Sequence, residues 1–168
     1  RFCTYNITSG RAGRLEQALR ACSTMGIDWG ILTESKLTEG IHTRFSSGYR
    51  VVATDAPSPM QGGVALFFRE CTEFQVESIR RHGGNVISFM IVTGGRRQSV
   101  VGCYIPPSDQ DLQTLHHINE AFLRFGPGVT PWVLGDINAD IKSPQTAWQA
   151  AVITELVGKG LVDALAHF

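Results

Sequence analysis

The sequence predicts an α/β sandwich whose sheets carry helices on their outer faces, and three observations predict it. Apolar runs of strand length alternate with segments of helical periodicity. Glycine pairs divide the middle of the chain, where hairpin turns need residues that tolerate positive φ. The chain has 168 residues, 43% of them hydrophobic, which is enough for one packed core, so residues 1–168 read as a single domain.

Taken in order, "RFCTYNI" has the β-branched and aromatic character of a strand. Leu15, Ala18, Leu19, Cys22 and Met25 then recur at helical spacing, and Gly26 supplies a stop. "WGILTES" reads as a short buried strand closing on polar residues, followed by a Gly- and Ser-containing loop to a strand at "YRVVATD". The Gly62-Gly63 pair opens "VALFFRE", after which "FQVESI", "NVISFMIV" and "QSVVGCYI" predict an antiparallel meander turning at Gly83-Gly84 and Gly94-Gly95. Ser108 and Asp111 read as a capping pair for a helix with Leu112, Leu115, Ile118 and Phe122 on one face. "WVLGD" is the next strand. Ser143 as N-cap, with Pro144 at the first helical position, predicts a helix to about Val157, and "GLVDAL" closes the chain.

Fifteen basic and fifteen acidic side chains cancel, so no whole-chain field draws the protein to nucleic acid, and any such binding is local. No apolar stretch approaches the roughly 20 residues that cross a bilayer, and no basic-then-apolar leader begins the chain. The expectation is a soluble protein without membrane contact, intracellular, in nucleus or cytoplasm. Cys3, Cys22, Cys71 and Cys103 lie singly among apolar neighbours, without zinc-site spacing, and read as buried free thiols. With Arg1 in place of an initiating Met, and with "LVDALAHF" at the other end, both ends read as cut from something longer.

The predicted strands end in polar residues: Asn6 closes the first, Glu34 the second, Tyr104 follows the meander, and Asp136 with Asn138 ends "PWVLGDINADI". Singly, each has an ordinary reading as a turn former, a solvated strand end or a core aromatic with its hydroxyl at the surface. Their common placement points to function, because a sheet holds such groups rigid while the loop after the strand exposes them. Carboxylates and amides suit Mg²⁺, which takes oxygen ligands and keeps several waters.

In sequence and in order, "YNITSG", "ILTES", "GGVALFFR", "VVGCYIPPS", "VLGDINAD" and "GLVDAL" resemble the endonuclease/exonuclease/phosphatase superfamily. Within it the chain is most similar to the apurinic-type endonuclease domain of non-LTR (LINE-like) retrotransposons. The resemblance implies a DNase I-like four-layer sandwich, two mostly antiparallel sheets between outer helices, lacking its final strands. It implies Mg²⁺, or Mn²⁺, as cofactor, DNA as substrate and a reverse transcriptase in the same longer chain. Glu34 would bind the metal, with Asn6 helping to hold it or to orient Glu34. Tyr104 would donate to charge developing on the phosphate, Asp136 would position or activate the attacking water, and Asn138 would hydrogen-bond the phosphate or that water. Asp163 would orient a catalytic histidine.

Two departures from the family pattern bear on activity. The family closes on a Ser/Thr-Asp-His element, and the 168 residues end before it, so the fragment is expected to be inactive. None of His42, His82, His116 or His117 stands in a matching context, and His167 is a poor substitute, so structural roles are expected for all five. Thr8 stands where apurinic endonucleases carry an acid, which argues against a second metal position. Arg80-Arg81 and Arg96-Arg97 flank one strand and so lie at its opposite ends, and these pairs and Arg69 read as solvated charge rather than a phosphate patch. Two alternatives stay open: a phosphodiesterase or phosphatase acting on RNA tails, inositol phosphates or phospholipids, and a catalytically dead remnant serving as an interaction module.

Overall fold

A computed structural model describes residues 1–10, 13–38, 43–70, 73–107, 112–127, 129 and 131–163. The elements run β1 (Phe2–Asn6), α1 (Arg14–Thr24), β2 (Trp29–Thr33), β3 (Thr43–Ser46), β4 (Tyr49–Ala53), β5 (Val64–Phe68), β6 (Gln75–His82), β7 (Val86–Thr93), β8 (Arg96–Tyr104), α2 (Gln113–Phe125), β9 (Trp132–Asp136) and α3 (Ala147–Gly158). The strands form two sheets, ordered β1-β2-β5-β4-β3 and β6-β7-β8-β9. Pairing is antiparallel except where β1 joins β2 and β8 joins β9.

Three apolar clusters separate four layers. Leu15, Ala18, Leu19 and Cys22 on α1 pack against Leu32, Tyr49, Val51 and Phe67 on the outer face of the first sheet. Ile31, Val52, Val64 and Leu66 from that sheet meet Ile87, Phe89, Val100 and Tyr104 from the second between the sheets. Leu115, Ile118 and Ala121 of α2, with Val152 and Leu156 of α3, cover Val86, Val101 and Cys103 on the far side. The order is helix, sheet, sheet, helix. Central β5 is buried at every position because both of its faces are covered, whereas β1 and β9 at their sheet edges are mostly exposed or half-buried.

The α1 stripe at 15, 18, 19 and 22 is the i, i+3, i+4, i+7 face of an amphipathic helix. Met25 departs from the expectation: it is the C-cap and 57% exposed, because Gly26 in the left-handed region turns the chain away. Part of the loop expected before β4 is instead the edge strand β3, joined by a tight turn at Ser47 and Gly48, both at positive φ. Its sequence "TRFS" has one large apolar residue, too few for alternation to register. The last helix starts later than expected: its N-cap is Thr146, whose hydroxyl accepts from the Gln149 N–H at 3.1 Å, not Ser143.

The expected Ser108–Asp111 cap, Cys71, and the end of "GLVDAL" lie outside the described residues, and 161–163 follow α3 without regular structure. Arg69 is a strut rather than solvated charge. It lies over the Tyr49 ring at 5.1 Å and donates to the Ser23 carbonyl and to the Tyr49 hydroxyl, each at 3.3 Å. Arg81 likewise donates to the Ala53 carbonyl at 2.9 Å and ties the two sheets together. Among the described residues, no helix is long and apolar enough to cross a membrane.

Candidate active site

β1, β2, β8 and β9 end together at one rim, where the two sheets meet. Asn6 is the last residue of β1 and Glu34 follows β2, while Tyr104 and Asp136 pair in register at the ends of β8 and β9. The Asn6 amide joins the sheets: its Nδ2 donates to Glu34 Oε1 at 2.9 Å and to Asp136 Oδ2 at 3.1 Å. Its Oδ1 accepts from the Thr8 N–H at 2.9 Å, so the ring of contacts fixes both ends of the amide. Asp136 Oδ1 accepts from the Asn138 N–H at 3.1 Å, and the Asn138 side chain donates to the Ile105 carbonyl at 3.0 Å. Gln149 of α3 donates to the Asn138 carbonyl at 3.2 Å and braces that loop from behind.

Tyr104 pairs with Asp136 at the strand ends, and burial of its phenol, followed by the charges of Glu34 and Asp136, pushes it up to about 12. At neutral pH it therefore stays a neutral donor. Asn6, Thr33, Asp136 and Asn138 line an open pocket of about 400 Å³. Lys36 completes the site on the other side, its Nζ 3.4 Å from Glu34 Oε2, with both side chains largely covered.

The backbone around these groups is specialised. Thr8, Glu34, Lys36 and Asn138 all have positive φ, which costs a non-glycine residue about 1–2 kcal/mol and tends to gather at functional sites. Gly62 and Gly63 hold the end of β2: their carbonyls accept from the N–H groups of Lys36 at 3.0 Å and Ser35 at 3.1 Å. A Cβ on Gly63 would run into the Ser35 hydroxyl, so only glycine permits this approach.

Five of the six residues singled out in the sequence thus meet: Asn6, Glu34, Tyr104, Asp136 and Asn138. Asp163 lies in irregular backbone after α3. His82, His116 and His117 sit elsewhere, around β6 and α2, with His82 bonded to Ser88 and His116 paired with Glu120, while His42 and His167 lie outside the described residues. Sequence reasoning passed over Lys36, whose signal was a cation two residues past Glu34 on the same strand-end loop. It also missed Gln149, which nothing in its helix sets apart.

Among the described residues no three His, Cys, Asp or Glu side chains converge on a metal position. A cation here would take Glu34 and Asp136 and complete its shell with water, a donor set that fits a small hydrated oxygen-seeking ion.

The chain matches no protein-family model and no curated protein. Solved structures do resemble it. The endonuclease domain of TRAS1, a telomere-specific non-LTR retrotransposon, superposes with a TM-score of 0.71 at 17% identity, over 95% of this chain and 70% of that one. An AP endonuclease from Archaeoglobus fulgidus gives 0.69 at 18% identity, over 99% of this chain and 73% of that one. An endonuclease/exonuclease/phosphatase family protein from Leptotrichia buccalis gives 0.61 at 12% identity, over 96% and 73%. With its two facing sheets, outer helices and rim of strand ends, the chain has the DNase I-like fold of the endonuclease/exonuclease/phosphatase proteins.

Proposed function

We propose that the chain is the nicking domain of a retrotransposon-type endonuclease, a Mg²⁺-dependent phosphodiesterase acting on DNA. The observation that carries this reading is the bridge Glu34–Asn6–Asp136, in which one amide holds two carboxylates from different sheets at the mouth of an open pocket. The fold likeness to a retrotransposon endonuclease domain and to an AP endonuclease supports it.

Glu34 and Asp136 would hold the cation, which when bound neutralises charge on a phosphate oxygen and on the attacking water. Asn6 keeps the two acids apart and aimed. Asp136, fixed by the Asn138 N–H, positions the attacking water at the pocket mouth. Tyr104, kept protonated by its surroundings, donates to the phosphate oxygen on which charge develops. Asn138 holds the loop that the phosphate meets. Asp163 would orient a catalytic histidine. The nick would supply the 3′-hydroxyl that a reverse transcriptase extends.

The test is calorimetric. Mn²⁺ or Mg²⁺ should bind with a dissociation constant on the order of millimolar, since two protein carboxylates hold a well-hydrated ion weakly. Glu34→Gln should abolish the heat. Equal heats for parent and variant would remove the metal site, and with it the proposed chemistry.

A further inference from the structure

On the α1-facing side of β1, the thiols of Cys3 and Cys22 lie 4.0 Å apart and share no disulfide. One belongs to a sheet edge and the other to the last turn of α1. Both border a second groove, about 670 Å³ in volume, with Ala18 and Ala21 beside them. The groove gives an oxidant a path to Cys3, which is half-buried, while Cys22 behind it is 3% exposed. The short alanine side chains leave room for the rotation that would bring the two sulfurs from 4.0 Å to a bonded separation of about 2.05 Å. Cys103 differs, being fully buried beneath α2 and α3.

We infer that Cys3 and Cys22 form a redox-convertible pair, which closes a disulfide between β1 and α1 when the chain meets a low-molecular-weight disulfide such as oxidised glutathione. Cys3, the more exposed of the two, loses its proton and attacks one sulfur of the oxidant, and one glutathione leaves and takes up a proton. Cys22 then loses its proton and attacks Cys3 Sγ, releasing the second glutathione. Two protein thiols are oxidised and one small disulfide is reduced to two thiols. Burial pushes the Cys3 thiol up to about 12 and raises Cys22 as well, so thiolate is scarce at neutral pH and the exchange is slow. The bond would fix β1, an edge strand whose last residue is Asn6, to the helix behind it.

The experiment incubates the chain with oxidised glutathione near neutral pH, blocks remaining thiols and examines intact mass, peptide cross-links and thermal melting. The expected product has lost the mass of two hydrogens, links the Cys3 and Cys22 peptides and melts about 5–10 °C higher, all reversed by dithiothreitol. Cys22→Ala should stop at a glutathione adduct on Cys3. A parent chain that accumulates unresolved adducts, that cross-links Cys71 or Cys103 instead, or whose Cys3 and Cys22 both remain open to blocking would overturn the inference. The parent readout needs no variant, so a poorly folding Cys22→Ala leaves the test decisive.

Discussion

Gly135 decides where Asp136 can stand. It has φ 146° and pairs with Cys103, and an added Cβ would fall well inside van der Waals contact of the Cys103 carbonyl oxygen. Any side chain there must push β9 away from β8, and Asp136 would move with it. Gly135→Ala should therefore cost about 1–3 kcal/mol, as overpacking does, and lose Mn²⁺ binding as well. Gly158 provides the control, because its Cβ would meet open space at the end of α3. Gly158→Ala should be neutral or stabilising by up to about 1 kcal/mol, with metal binding unchanged. Melting and calorimetry on the two variants separate the effects, and equal losses would show that the close approach at Gly135 does not matter.

Helix ends and hairpins are specified by single side chains, and two of them give opposing tests. Thr146 caps α3 by accepting from the Gln149 N–H, whereas the hydroxyl of Ser143, three residues upstream, accepts from the exposed Gln145 side chain. Thr146→Ala should cost about 1 kcal/mol, a fall of roughly 2–4 °C in Tm, and Ser143→Ala should stay within about 0.5 kcal/mol. The reverse order would restore Ser143 as the cap.

The β6–β7 hairpin is fastened to α2 through Ser88, whose hydroxyl accepts from Arg124 Nη1 and faces His82 Nε2, both at 2.8 Å. His82 is half-buried beside it. Burial, then the nearby Arg124, His117 and Arg80, lower its pKa, and Glu120 opposes them. The unfolded chain thus takes up this proton first as pH falls. Stability is complete above about pH 6.5 and is lost as pH drops toward the folded value. Tm should fall between about pH 7.5 and about pH 5.5, and His82→Gln should flatten that slope. An unchanged slope in the variant would assign the proton uptake elsewhere.

At the scale of the whole molecule, sheet edges are treated unequally. β6 is blunted by a bulge between Glu77 and Arg80 and by exposed arginines. β1 and β9, at the edges of their respective sheets, present Phe2 (44% exposed), Tyr5 (57%) and Trp132 (48%), with Phe2 and Trp132 edge to face at 5.6 Å. Two strand edges with exposed aromatics favour association through backbone pairing. The chain should self-associate with concentration, and Trp132→Lys should suppress it, as sedimentation would show. A parent chain that stays monomeric at high concentration would show that these edges are already protected.

The sequence by itself determined the alternation of strands and helices, the buried stripe of α1, the meander and the polar strand ends Asn6, Glu34, Tyr104, Asp136 and Asn138. These signals are local: apolar period, turn glycines and the abrupt change from "VLG" to "DIN" are read within a few residues. It did not determine β3, whose four residues are too few for an alternation to register, nor which of two nearby hydroxyls caps α3, nor that Arg69 and Arg81 act as struts. The tertiary structure alone decided that one Asn6 amide would reach both Glu34 and Asp136, the latter 130 residues away. It also set Lys36 against Glu34 and Gln149 behind Asn138. Each of these contacts depends on strand register and on how the elements of the sandwich pack together, and a distance between side chains far apart in the chain leaves no period in the sequence that could announce it.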